Sequence, residues 1–277
     1  MILTAILALF GVGLIVGAIS GLVGIGGGVL IVPFLYLFYG NPNWSGTSLT
    51  PDLAAPVAHA TSLFIIVPTA VRGVIAYHRS GNIVWRAVIP IGLAAILAAV
   101  LGARVAINLP GRLLEIAFGV LLIGSAIQMA RGLGRRHDQV RRVTPLRTIL
   151  TGLVVGFLSA LLGVGGGAIA IPMLIYVLGL KVRELAATSL AIIMFAALAG
   201  TLTYMMSPTP PTGLPTGNIG YVHLLAALPI LAGSLLAVGW GTRLNQRLST
   251  NKLRWIFAIL FGVLGVELIV ENVIELL

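Results

Sequence analysis

Long apolar segments constrain this chain more than any other feature, because only short polar stretches separate them. Five lie before residue 132 and five after residue 147, at about 3–24, 28–39, 55–77, 84–107, 113–130, 148–163, 167–179, 185–206, 219–241 and 253–275. A helix needs about 20 apolar residues to cross ~30 Å of hydrocarbon. Only 9% of the 277 residues are charged, whereas a soluble domain carries about 25%. The sequence therefore predicts an all-α polytopic membrane protein in a lipid bilayer.

The two sets of segments are copies of one another. GAISGLVGIGGGVLIVP at 17–33 aligns with GFLSALLGVGGGAIAIP at 156–172, and ATSL occurs at both 60–63 and 187–190. The second segment of each set is short, so it is either a half-helix or one arm of a re-entrant hairpin. We therefore predict about 8–10 transmembrane or re-entrant helices in two repeats.

The repeat divides the chain into three parts. They are a first membrane repeat, a basic linker and a second membrane repeat, at 1–131, 132–147 and 148–277. Positive charge concentrates on the cytoplasmic side of membrane proteins. With the linker placed in the cytoplasm, fourteen of the seventeen Lys and Arg residues fall inside and two outside. An odd number of crossings in each repeat inverts the second repeat relative to the first, and this charge distribution agrees with that arrangement. We therefore predict a multi-pass protein of the cell membrane with both termini outside.

Two glycine runs are the candidate site. Each precedes a short segment and has a proline five residues after its last glycine. Broken helices at the midplane are typical of secondary transporters with inverted repeats, and the amides that open a helix favour an anion. Close helix crossing at glycine is the structural alternative. The predicted substrate-binding residues in these runs are Gly24, Gly26, Gly27, Gly28, Gly163, Gly165, Gly166 and Gly167.

Hydroxyl and ionisable groups in the apolar segments are further candidates. Thr61, Ser62, Thr188 and Ser189 either contact the anion or make helix caps and interhelical bonds. Arg72 is the one cation predicted inside a span; it either carries substrate or gate charge or extends to the nearby interface.

A few histidines and acidic residues could bind a proton during transport. His78 and Glu267 are possible proton-linked or pH-linked residues. A histidine at a membrane interface is the alternative for His78, and His59 is predicted to be similar on the opposite side.

Other function classes fit poorly. The net charge of +10 reflects basic loops rather than nucleic-acid binding. No cysteine is present, and clustered acids or histidines are lacking, so we expect no metal or other cofactor and no divalent-cation transport. GIGGGV lacks the third glycine of a dinucleotide-binding motif, and neither run continues as Gly-Lys-Ser/Thr. A nucleophile with a matching acid and base is not apparent, so an enzyme is not expected.

The duplicated G-x-G-G-G-x(4)-P motif, the ATSL segments and the Tyr-His-x-x-Gly-Asn-Ile turn at 77–83 resemble the TauE/SafE family of membrane permeases. The resemblance covers nearly the whole chain. It implies transport of small sulfur-containing anions such as sulfite, sulfonates, sulfoacetate or thiosulfate, mainly by export. It also implies roles for Pro33, Pro172 and the glycines and hydroxyls named above, whereas Arg72 matches no motif position.

These observations together predict a secondary transporter for a small anion, working by alternating access around a site between the glycine runs. A nucleotide site is not evident, so an ion gradient, of protons or sodium, or the anion gradient itself must drive it. A channel-like anion pore is the first alternative, and a non-transporting membrane subunit the second. The exact anion, the direction of transport and the oligomeric state are left open by the sequence.

Overall fold

In a computed structural model, the described part of the chain is all-α apart from one small hairpin. The residues described are 3–45, 49–78, 81–131, 143–208, 213–245 and 247, followed by 255, 258–259, 262–263, 265–266 and 269–270. The helices are α1 (Leu3–Val23), α2 (Gly28–Gly40), α3 (Pro42–Ser45), α4 (Pro51–His78), α5 (Trp85–Ile107), α6 (Gly111–Arg131), α7 (Pro145–Leu161), α8 (Gly167–Tyr176), α9 (Val182–Met206) and α10 (Leu224–Asn245). The described residues from 255 to 270 are also helical.

The first nine predicted segments match these helices, with two corrections. The ninth segment does not begin at residue 219, because β1 (Asn218–Ile219) and β2 (Val222–His223) form an antiparallel hairpin before α10. The predicted linker ends earlier than residue 147, because Pro145 opens α7 and proline suits the first helical position. Residues 132–142 of that linker lie outside the described residues.

The helices are apolar, and they expose apolar side chains on their outer surface, as in a membrane protein. Six of them are long and apolar enough to cross a bilayer. On α5, Ile89, Leu93, Leu97 and Leu101 are all more than half exposed. Their spacing of four places them on one helix face, and a row of exposed leucines of this kind suits lipid and not water. The chain is thus an all-α polytopic membrane protein.

Helices α4 and α9 form the centre of the bundle, since they are the most deeply buried of the six candidate spans. They cross in opposite directions. Gly73 of α4 contacts Leu190 of α9, while Leu63, ten residues earlier in α4, contacts Gly200, ten residues later in α9. The two contacts are equivalent in the sequence repeat, because both members of one are 127 positions from their counterparts in the other.

The first helix of each repeat packs against a helix of the other repeat, α1 against α10 and α7 against α5. A Cβ atom added to Gly13, Gly17 or Gly21 of α1 would lie 2.2 Å from a carbonyl oxygen of α10. Gly152 and Gly156 of α7 meet the carbonyl oxygens of α5 in the same way, at 2.3 and 2.2 Å. Glycines four residues apart form one flat helix face, which lets two backbones approach closely in a membrane. This packing joins the two repeats into one bundle.

We predict that Gly17→Ala destabilises the protein. The new Cβ would lie 2.2 Å from the Ser234 carbonyl oxygen, so α1 and α10 must move apart, at a cost of about 1–3 kcal/mol. Gly11→Ala is the matched control in the same helix, because nothing lies within 4 Å of its added Cβ. It should be neutral or slightly stabilising, since alanine favours helix. Thermal unfolding in detergent measures both, and equal midpoints for the two variants would contradict the packing described.

Candidate functional site

The first glycine run breaks a helix in the middle of the bundle. Helix α1 ends at Val23 and α2 begins at Gly28. Gly24, Gly26 and Gly27, which lie between the two helices, have φ of +78°, +84° and +81°. Residues other than glycine rarely adopt this left-handed conformation. Gly27 is the N-cap of α2. The glycines therefore interrupt the helix, and they do not serve only as a packing surface.

The second run repeats this geometry. Helix α7 ends at Leu161 and α8 begins at Gly167. Gly163, Gly165 and Gly166 have φ of +66°, +75° and +86°, and Gly166 is the N-cap of α8. Every glycine of both runs is buried. The prediction of paired helix breaks is confirmed in the described backbone.

The two breaks pack directly on each other. A Cβ added to Gly28 would lie 2.6 Å from the carbonyl carbon of Val164, and one added to Gly167 would lie 2.4 Å from the Cα of Ile25. These two contacts are equivalent in the repeat. The first residue of each half-helix is therefore held against the backbone of the opposite break, and a ligand entering between them must separate the two.

The ends of the half-helices present backbone donors. The first amide of α2 with a backbone partner is that of Leu30, which donates to the Gly27 carbonyl at 3.0 Å, and in α8 it is that of Ile169, which donates to Gly166 at 3.0 Å. The opening amides of a helix have no partner within the helix. Those of Gly28 and Gly167 are consequently available, in the described part of the chain, to an anion that lies between the breaks.

Ser20 and Ser159 add a hydroxyl group to each helix end. Both serines are fully buried, and their Cβ atoms would lie 3.7 and 3.1 Å from a Cβ added to Gly27 and Gly166 respectively. Neither Oγ has a hydrogen-bond partner among the described residues. A buried hydroxyl without a partner is costly, so these two are suited to a polar ligand. Their identity within the aligned repeat was the sequence signal that could have identified them.

The four predicted hydroxyl residues are all buried but differ in what they bind. Ser62 donates to the Gly163 carbonyl at 2.7 Å, whereas the Oγ of Ser189, its counterpart, has no partner among the described residues. Thr61 and Thr188 accept the amides of His223 and Val84 at 3.0 and 3.2 Å. The two threonines thus hold the chain at the entry to α10 and α5, which is the structural alternative for such residues.

Arg72 and His78 are not part of this cluster. Arg72 is exposed on α4, away from the buried breaks, as expected for a side chain that extends to the interface. His78 is exposed at the end of α4, with its ring centroid 6.5 Å from that of Trp85. Glu267 lies outside the described residues.

A buried pair of Tyr and His side chains lies beside the second break, and sequence reasoning missed it. His59 is fully buried, not interfacial as predicted, and its Nε2 is hydrogen-bonded to the hydroxyl of Tyr36. The backbone and ring of His59 contact Gly163, where an added Cβ would lie 2.5 Å from the histidine Cα. The counterpart of His59 in the other repeat is Ala186, so the repeat pattern gave no signal.

A second Tyr–His pair lies at the hairpin. The hydroxyl of Tyr39 is 3.1 Å from His223 Nδ1. Burial lowers the pKa of His223 to about 4, which a backbone hydrogen bond to Thr216 only partly offsets. The imidazole is therefore neutral at neutral pH, and its Nδ1 accepts a hydrogen bond from the tyrosine hydroxyl group. Among the described residues, no three His, Asp or Glu side chains lie close enough together to hold a metal ion.

We predict that Gly28→Ala weakens the contact between the breaks. Its Cβ would lie 2.6 Å from Val164, and overpacking of this kind costs about 1–3 kcal/mol. Gly40→Ala, at the other end of the same helix, is the control, because its added Cβ meets nothing within 4 Å. The free energy or midpoint of unfolding in detergent checks both. A Gly28→Ala protein as stable as Gly40→Ala would contradict the close contact.

Comparison with known proteins agrees with this architecture. The family model described as "Sulfite exporter TauE/SafE" matches residues 9–268. A probable membrane transporter protein of Methanocaldococcus jannaschii is 31% identical, over 92% of this chain and 91% of its own. A probable membrane transporter protein of Haemophilus influenzae is 27% identical over 97% and 99% of the two chains, and one of Bacillus subtilis, YunE, is 25% identical over 94% and 96%. No solved structure matches the chain.

The match extends over nearly the whole chain and includes both helix breaks. The relatives are named membrane transporters and not enzymes. The chain is a membrane transporter that belongs to the TauE/SafE sulfite exporter family.

Proposed function

We propose that this transporter moves a small sulfur-containing anion, of the sulfite, sulfonate, sulfoacetate or thiosulfate type, and that it exports it across the cell membrane. The observation that carries the proposal is the pairing of two half-helix N-termini, each with an unpartnered serine hydroxyl, at one buried point. The description of the family, a sulfite exporter, supports the sulfur chemistry.

The donors suit a small oxyanion. Sulfite and sulfonate groups each present three oxygen atoms that accept hydrogen bonds. The amides of Gly28 and Gly167 and the hydroxyls of Ser20 and Ser159 supply four donors for these oxygen atoms without a cation. Hydrogen bonds to a charged acceptor are worth about 1.5–3 kcal/mol each, and the positive ends of two helices add to the attraction. Neutral donors bind an anion while still allowing its release on the far side.

The geometry of the repeats supports alternating access. Helices α4 and α9 are equivalent in the sequence and contact each other in opposite directions. When such helices run along the membrane normal, the two-fold axis that relates them lies in the membrane plane, and the repeats are inverted. Inverted repeats that rock around a central site open it to each side in turn. The linker 132–147 is then cytoplasmic and both termini are outside, as the distribution of charge indicates.

The anion site is tested by Ser20→Ala and Ser159→Ala, singly and together. We expect each single variant to weaken anion binding about tenfold, because one charge-assisted hydrogen bond is lost. Stability should change little, since neither hydroxyl has a partner to lose. Thermal shift and uptake into liposomes, with sulfite, sulfate, thiosulfate, sulfoacetate and taurine, give the readouts.

Ser125→Ala is the matched control for these variants. Ser125 is also a buried helical serine, but its hydroxyl donates to the Leu121 carbonyl at 2.8 Å and it belongs to α6. Anion binding should match that of the wild type. If the double variant Ser20→Ala/Ser159→Ala binds and transports all five anions like this control, the site lies elsewhere. If the wild type itself binds and transports none of them, the proposed substrate class is wrong.

Alternating access is tested by the double variant Ile66→Cys/Ile193→Cys. Both side chains lie within 3.5 Å of a Cβ added to Gly26 or Gly165, so they meet beside the breaks, and the chain has no other cysteine. Oxidation should join α4 to α9 and reduce transport at least about tenfold, with recovery on reduction. Single-cysteine variants treated in the same way are the controls. Full transport by the cross-linked protein would favour a pore instead.

A further inference from the structure

The buried tyrosine and histidine pairs are only partly matched between the two repeats. Tyr36 is hydrogen-bonded to His59 and Tyr39 to His223, while the ring of Tyr204 packs on that of Tyr221. At the equivalent positions of the other repeat, Tyr36 is replaced by isoleucine and His59 by alanine. The fold therefore does not need the Tyr36–His59 pair, whereas a function confined to one side of the site does.

We propose that His59, hydrogen-bonded to Tyr36, is the binding site of a proton that is carried in the same direction as the anion. This inference rests on the proposed function, since it assigns the coupling ion of that same anion site. It differs from the sequence expectation, which placed proton-linked groups at His78 and Glu267.

The position of His59 links it to the second helix break. Its ring packs on Gly163, four residues before the first residue of α8. Its Nε2 is hydrogen-bonded to the Tyr36 hydroxyl, and its Nδ1 is buried with no hydrogen-bond partner among the described residues. Three residues further along α4, Ser62 binds the Gly163 carbonyl. A change in the charge of His59 thus acts directly on the backbone that positions the anion-binding amides.

Electrostatics explains why proton and anion would move together. A charged imidazole that is fully buried is unfavourable unless an opposite charge accompanies it. An anion between the breaks supplies that charge, and a positive His59 in turn strengthens the binding of the anion. By linkage, each ligand raises the affinity for the other by the same factor. The site is then favoured when it holds both or neither, which is the requirement for cotransport.

On this proposal the proton reaches His59 through Tyr36. Glu115 of α6, a partly exposed residue, and Tyr204 of α9 interact electrostatically with Tyr36. The Tyr36 hydroxyl passes its own proton to His59 Nε2 and takes another from Glu115 or water, so that the tyrosine ends neutral. The imidazole gains the proton and the positive charge. Phe118 packs edge-on against the Tyr36 ring at 6.3 Å and holds the hydroxyl in place for this step.

The test uses proteoliposomes of the full chain, radiolabelled sulfoacetate, and the membrane voltage clamped at zero with potassium and valinomycin. Sulfoacetate is fully ionised between about pH 6 and 8, so that its own protonation contributes nothing. With one proton per anion, a gradient of one pH unit should accumulate the anion about tenfold in the wild type. His59→Gln keeps a hydrogen-bonding side chain but cannot carry the proton. It should show no accumulation beyond that measured without the gradient.

His223→Gln is the matched control, because His223 is also a buried histidine bonded to a tyrosine but lies at the hairpin. It should accumulate the anion about tenfold, as the wild type does. Tyr36→Phe keeps the ring packed on Phe118 and removes the relay hydroxyl. It should reach the same final accumulation at least about tenfold more slowly. If His59→Gln does not fold, the Tyr36→Phe variant still tests whether the Tyr36–His59 pair carries the proton.

The proposal is overturned if His59→Gln accumulates the anion like the wild type, if both histidine variants lose coupling equally, or if Tyr36→Phe accumulates at the wild-type rate. Exchange of labelled for unlabelled sulfoacetate without any gradient separates this inference from the proposed function. Wild-type exchange that does not respond to the pH gradient contradicts only the proton site. The absence of wild-type exchange for all five anions contradicts the proposed substrate itself.

Discussion

Backbone hydrogen bonding in a nonpolar solvent is the constraint on which this structure depends. A helix can cross hydrocarbon because its amides and carbonyls bond to each other, and a break leaves several of them without partners. The chain contains two such breaks, both buried and both pressed against each other. Such an arrangement is tolerated only where protein or a polar ligand supplies the missing bonds. The breaks are therefore the least favourable part of the scaffold, and they are the place where hydrogen bonds from a bound anion would stabilise the protein most.

Most of the residues that build the scaffold are matched between the two repeats, whereas some of the buried polar residues are not. Matched pairs are formed by the glycines of the two breaks, by the packing glycines Gly13 and Gly17 with Gly152 and Gly156, and by Ser20 with Ser159. In the proposed alternating-access cycle, two similar halves would exchange roles as the protein opens to one side and then the other. His59 and Tyr36 have no such counterparts, and Ser62 is bonded where Ser189 is not. A bias between the two sides of the membrane requires differences of this kind.

The sequence predicted the membrane class, the helices and the breaks, because each depends on local chemistry. Apolar length determines the spans, and repeated glycine before a short segment determines where a helix stops. The contact of Gly28 with Val164 was not predictable, since it depends on how the repeats meet. The hairpin before α10 was missed because Ile219 and Val222 extend the apolar pattern of the helix. Arg72 was ambiguous for a similar reason, since a helical position does not by itself say which face points outward.

The contact between the breaks bears on how an anion enters. Gly28 and Gly167 each touch the backbone of the opposite break, so any side chain at either position would hold the two apart. In the proposed transporter, glycine at both positions lets the breaks close on each other, with their amides removed from lipid and water. Breaks that close this tightly would prevent leakage of other ions, and their separation would become favourable only when an anion bonds to the donors. On this proposal, selectivity arises from the free energy of separating the breaks, which the bound anion must offset, and a permanently open pore has no equivalent step.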